Sequence, residues 1–157
     1  ALAKQQTCGV GQQGNRWESE ANKNLTFSLL LKPTFLPIAD RYMITKAVSI
    51  AITDFLKQEI PNETISIKWP NDIYVDGRKI CGILIENSIR GKNLAHSIVG
   101  IGLNVNQCNF DASLPNPTSM QLYLKGSSGK YHQSFDMNKC LEAIMEIFKG
   151  EGSKRIR

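Results

Sequence analysis

A cation, a carboxamide and a carboxylate fall within one short run, Lys68-Trp69-Pro70-Asn71-Asp72. Held that close on a rigid corner, such groups can grip a small anion or a metal-bound phosphate. Pro70 supplies the corner, because proline has no N–H to give a strand ladder and ends it. Taken alone, the run reads equally well as a surface hairpin with incidental charges.

The segments around it add to the case. Gly82 interrupts Ile80-Cys81-Gly82-Ile83-Leu84-Ile85-Glu86, and Gly100 and Gly102 interrupt Ile98-Val99-Gly100-Ile101-Gly102-Leu103-Asn104. Glycine weakens a strand, so inside one it marks a bulge or a group lying close against the backbone. Gly100 and Gly102 share a face by the two-residue strand period, and a slot beside them would take a flat ring system. Upstream, Gly9-Val10-Gly11-Gln12-Gln13-Gly14 matches G-x-G-x-x-G. A dinucleotide fold needs a helix opening within that motif. Here Asn15-Arg16-Trp17-Glu18-Ser19 and then a strand follow, which argues against it. What remains is a glycine-rich loop whose exposed N–H groups can wrap an anion, or else a plain surface loop.

The elements that must position these residues alternate along the chain. Ala3 to Thr7 reads as a short strand, Gly9 to Asn22 as a loop, and Asn24 to Leu31 as a strand. A helix follows, with Pro37 in its first turn. Ile44, Ala47, Val48, Ala51 and Phe55 fall on its buried face, and Pro61 ends it. Strand signals then come in succession: Thr64 to Trp69, Asp72 to Val75, Lys79 to Glu86 and Leu94 to Val105. Asp76-Gly77 is a strong hairpin turn between two of them. Gln107 to Thr118 is a loop, and Ser119 to Leu124 one or two helical turns. Ser134 is placed to cap a final helix with Leu141, Ile144, Met145 and Phe148 buried, and Gly150 to end it. The expected class is α+β, a mostly antiparallel mixed sheet packed by helices, with an antiparallel meander of about four strands.

Composition removes several alternatives. At 157 residues and 41% hydrophobic, the chain can bury the core of one ordinary domain. It has no apolar run near the roughly 20 residues that span a bilayer, and its start lacks a signal peptide's apolar stretch. Four widely spaced cysteines, Cys8, Cys81, Cys108 and Cys140, read as reduced and cytoplasmic. With only His96 and His132, a zinc site or a Ser/His/Asp triad is not expected. The net charge of +5 clusters only at Lys149, Lys154, Arg155 and Arg157, a solvated tail, so nucleic acid is not expected as a partner. The absence of an initiator Met reads as a piece of a longer protein.

Lys68 to Asp72, Gly82 to Glu86 and Gly100 to Asn106 resemble the sequence blocks of biotin protein ligases, in order and at similar spacing. Gln6-Thr7-Cys8-Gly9 through Trp17 resembles the ligand-binding loop of that family. The resemblance covers roughly residues 4 to 150. It implies a catalytic domain over residues 1–150, of the class II aminoacyl-tRNA synthetase type and truncated at its start, then a basic tail from 151 to 157. The family's C-terminal β-barrel and N-terminal DNA-binding domain are absent from the chain as read here. The implied activity joins biotin to ATP, giving biotinyl-AMP, and transfers biotin to a lysine of a biotin carboxyl carrier domain. Mg²⁺ is the implied metal, a homodimer is left open, and no membrane is involved. By position, Lys68 is the implied catalytic cation and Asp72 the metal ligand. Gln6, Gly9, Val10, Gly11, Gln12, Gly14, Trp17, Asn71, Gly82, Gly100, Gly102 and Asn104 are the implied substrate-binding residues. A lipoate-ligase-like acyltransferase and a binding-only or degenerate domain are the alternatives.

The loop departs from the family pattern, which usually carries arginine where this chain has Val10 and commonly where it has Gln13. A lost charge-assisted hydrogen bond costs about 1.5–3 kcal/mol, roughly ten- to hundredfold in affinity. Loose retention of the adenylate is therefore expected. Val10→Arg should slow its release, and calorimetry with an adenylate analogue would show no gain in affinity if this expectation is wrong.

Overall fold

The computed structural model describes residues 1–14, 16–124 and 134–155; Asn15 of the glycine loop and Arg157 of the basic tail lie outside the described residues. The strands are β1 (Leu2–Ala3), β2 (Gly9–Val10), β3 (Arg16–Trp17), β4 (Asn24–Leu31), β5 (Ile65–Lys68), β6 (Asp72–Val75), β7 (Arg78–Arg90) and β8 (Asn93–Asn104). The long helices are α1 (Tyr42–Glu59) and α2 (Met137–Arg155). Among the described residues, β5 to β8 form the expected meander. β4 adds on the free side of β8 and β1 on β4, giving the order β1-β4-β8-β7-β6-β5 with every pair antiparallel.

Strand alternation divides the work of this sheet. Leu25 and Phe27 of β4, Ile73 and Val75 of β6, Cys81 and Ile83 of β7, and Val99, Ile101 and Leu103 of β8 are all buried on one face. The helices cover that face. Ile44, Val48, Ala51, Ile52, Phe55 and Leu56 recur every three or four residues in α1 and are buried with the strand residues. Burying each of these side chains other than Ala51 is worth about 1.5–3 kcal/mol. Cys140 and Ile144 of α2 complete the layer, and α2 packs along α1. No helix among the described residues is long and apolar enough to cross a membrane.

Several boundaries differ from expectation, each for a local reason. β1 is confined to Leu2–Ala3, and the glycine loop contains a small hairpin, β2 with β3, that its composition does not announce. Pro37 precedes a 3-10 turn, Ile38–Asp40, and α1 starts only at Tyr42. Ser134 is exposed and does not cap α2. The cap is Asp136, whose Oδ1 accepts from the N–H groups of Asn138 at 2.9 Å and Lys139 at 3.2 Å. Gly150 does not end α2, which continues to Arg155 through most of the stretch read as a tail. A helix-interior glycine costs only about 1 kcal/mol relative to alanine.

All four cysteines are free, with Cys8 exposed and Cys81 and Cys140 buried. Burial pushes the Cys140 thiol up to about 12 and the Cys81 thiol higher, where the nearby Asp72 carboxylate adds to it. Because the thiolate is the reactive form, a maleimide at neutral pH should label Cys8 first. Cys81 and Cys140 should label only after denaturation. Peptide mass spectrometry reads this directly, and early labelling of Cys81 would contradict the packing described.

Candidate functional site

The face of the sheet away from the helices is open, and the pairing registers place its residues in rows. Lys68 pairs with Asp72, Asp72 with Gly82, Gly82 with Gly102, and Gly102 with Thr26. The adjacent row runs Leu84, Gly100, Ser28. A cleft of about 620 Å³ lies over these rows, with the β2–β3 hairpin forming its other wall. Lys68, Asn71, Asp72, Gly82, Gly100 and Gly102 line it from the sheet, and Gln6, Val10, Gly11, Gln12 and Trp17 from the loop. Segments far apart in the chain therefore meet at one place.

Trp17 occupies the glycine slot itself. Its indole lies across Gly82 and Gly102: a Cβ at Gly102 would stand 2.7 Å from Cζ2 and Nε1, and one at Gly82 3.1 Å from Cζ3. The flat ring expected beside these glycines is thus the chain's own. Gly9 has a related role, since a Cβ there would collide with the backbone oxygen of Trp17, its partner across the hairpin. Gly100 is different. A Cβ there meets only Leu84, at ordinary contact distances of 3.5 and 3.9 Å, so the space over Gly100 belongs to the cleft.

Lys79, which sequence reasoning missed, supplies the central cation. Its Nζ stands 2.9 Å from Asp72 Oδ1 and 5.9 Å from the centre of the Trp17 ring. The Asp72 contact is an ion pair without the angles of a hydrogen bond. By simple alternation from Gly82, Lys79 would face the core. A register shift between Ile73 and Tyr74 pairs Tyr74 with Lys79 instead of Ile80. Ile80 and Cys81 then both lie buried, and Lys79 turns to the cleft. Lys68, by contrast, is exposed, and its Nζ sits 5.2 Å from the centre of the Tyr74 ring. Arg16 and Thr26 also line the cleft without having been singled out. Only their pairing, Arg16 with Val10 and Thr26 with Gly102, reveals them.

Three expected residues lie off the cleft lining, the first being Gly9, buried against Trp17 within the hairpin. Asn104, expected near the nucleotide, does not line the cleft: it is buried at the end of β8, where its Nδ2 donates to the Thr118 carbonyl at 3.0 Å. It belongs with Asn24, which accepts from the Val105 N–H at 3.0 Å, and Asn106, which donates to the Phe135 carbonyl at 2.9 Å. These asparagines tie loops to the sheet end. Gly14 is exposed at φ +78°, a turn requirement, and also lies off the cleft lining.

The cleft is lined by buried polar atoms that make no hydrogen bond among the described residues: Gln6 Oε1, Trp17 Nε1 and Thr26 Oγ1. Buried polar groups are nearly always satisfied, so donors and acceptors left open together point to a ligand that offers both. For metal, the cleft offers carboxylates only from Asp72 and Glu86, and among the described residues no group of three or more His, Cys, Asp or Glu is close enough to hold an ion.

The profile of the biotin/lipoate A/B protein ligase family matches residues 1–104, well over half of the chain. The chain belongs to that family. It is 34% identical over 110 residues to the bifunctional ligase/repressor BirA of Bacillus spizizenii, covering 70% of this chain and 33% of that protein. It is 26% identical over 152 residues to BirA of Escherichia coli, covering 96% and 47% respectively. Among solved structures, the biotin protein ligase of Aquifex aeolicus in complex with biotin and ATP superposes with a TM-score of 0.76 at 26% identity. That match covers 99% of this chain and 59% of the other. The chain thus spans between a third and a half of the length of these two BirA proteins, and the antiparallel sheet packed by helices is the fold of this family.

The two cleft glycines should separate in mutagenesis. Gly102→Ala should displace Trp17 and lower stability by about 1–3 kcal/mol in urea denaturation. Gly100→Ala should cost about 0.5 kcal/mol or less. Equal losses would show that packing against Trp17 is not what requires Gly102.

Proposed function

We propose that this domain activates biotin with ATP and passes the biotinyl group to a lysine of a biotin carboxyl carrier domain. One observation carries the reading. In a cleft lined by Lys79, Asp72 and an indole, the unsatisfied atoms of Gln6, Trp17 and Thr26 complement a compact ring that both donates and accepts hydrogen bonds. The ureido ring of biotin is such a group. Family membership and the likeness to a ligase structure containing biotin and ATP support the same conclusion.

In the first step a biotin carboxylate oxygen attacks the α-phosphorus of ATP, and the bond to pyrophosphate breaks. Two anions must approach each other, and a fixed cation between them lowers that cost. Lys79 suits this task better than Lys68, because Asp72 and the Trp17 face hold its ammonium inside the cleft. Lys68 stays on the same row as a second, exposed cation. Asp72 is the carboxylate that would hold Mg²⁺, an ion ordinarily bound by one or two carboxylates together with substrate phosphates. Bound there, it would neutralise phosphate charge. In the second step the amine of the acceptor lysine attacks the activated carbonyl and releases AMP.

The assay is biotin-dependent exchange of labelled pyrophosphate into ATP. The wild-type chain should support exchange with biotin and not with lipoate. Lys79→Ala should lower the rate by roughly 10²–10³, the effect of removing one charge-stabilising donor, while Lys68→Ala should cost less. A larger loss from Lys68→Ala would return the central role to that residue.

A further inference from the structure

Three cations line the cleft: Lys68, Lys79 and Arg16. Lys79 is engaged by Asp72, and Lys68 lies over the Tyr74 ring. Arg16 has neither kind of partner; among the described residues it makes no ion pair and no ring contact.

Its place is nevertheless well defined. Arg16 pairs in register with Val10 across the β2–β3 hairpin. Residues directly opposed in an antiparallel pair project to the same side, with Cβ atoms roughly 4.5–5.5 Å apart. The next residue, Trp17, packs onto the sheet at Gly82 and Gly102. Successive strand residues point to opposite sides, so Arg16 stands away from the ring slot, on the outer wall of the cleft. It is exposed, and Gly11 and Gln12 of the glycine-rich turn line the same cleft. A planar guanidinium lining a cleft that a glycine-rich turn also lines matches phosphate oxygens in shape and charge.

We propose that Arg16 is a phosphate-binding residue of this cleft, its guanidinium donating to phosphoryl oxygens of ATP and of the adenylate made from it. This rests on the biotin-activating reading above. It also alters what Val10 implies: the loop keeps a guanidinium, directly across the hairpin from the apolar residue.

The test is calorimetry with two ligands, biotin and a non-hydrolysable biotinyl-AMP analogue, on the wild-type chain, Arg16→Gln, Arg16→Lys and Arg16→Gln with Val10→Arg. Arg16→Gln should weaken the analogue roughly ten- to hundredfold and leave biotin affinity and the thermal melt unchanged. Arg16→Lys should recover part of the loss, because an ammonium keeps the charge but not the fork. Val10→Arg should recover affinity in the Arg16→Gln background. Unchanged analogue affinity in Arg16→Gln overturns the proposal, as does an equal loss for biotin, since that would be a general effect on the hairpin. If the wild-type chain binds neither ligand, the biotin reading falls and Arg16 with it. If it binds both and only the Arg16 variants behave like wild type, the biotin reading stands and this inference alone fails.

Discussion

Side chains on a strand alternate between faces, and here one face is sealed by α1 and α2. Sheet residues able to meet a ligand must therefore come from the other face, and the inter-strand register decides which of them stand side by side. The row from Lys68 through Asp72, Gly82 and Gly102 to Thr26 crosses five strands, so a cleft can be assembled there from segments nearly eighty residues apart in sequence. The row is firm because slipping one strand by a single residue would send its apolar set, such as Val99, Ile101 and Leu103, into the open face.

One departure from that alternation is productive. The bulge opposite Tyr74 consumes Ile80 on the core side and brings Lys79 around to the cleft. Bulges of this kind sit beside functional sites because they re-aim a side chain without disturbing the rest of the ladder. The ion pair with Asp72 joins two strands that the bulge has locally loosened.

Much of this was legible in the residues. The apolar periodicity of α1 and the Asp76-Gly77 turn located the helix and the hairpin, and the interrupting glycines located the open face. Lys79 was not legible, because counting in twos from Gly82 puts it among core residues and nothing local announces a bulge. The β2–β3 hairpin was hidden as well. Its strands are two residues each, too short for any periodicity, and the hairpin's contact with the sheet is made by Trp17, across most of the domain in sequence. Asn104 differs in another way: the family resemblance implied a place near the nucleotide, while its amide serves the Thr118 loop.

The chain has two tryptophans, and they sit in contrasting surroundings. Trp69 is 60% exposed at the rim, against Tyr42, whereas Trp17 is half-buried on bare backbone with an ammonium over its face. The two indoles should therefore differ in emission wavelength and in access to a dissolved quencher. A Trp69→Phe chain would leave Trp17, inside the cleft, as its single indole, making occupancy of the site visible in tryptophan emission without any added label.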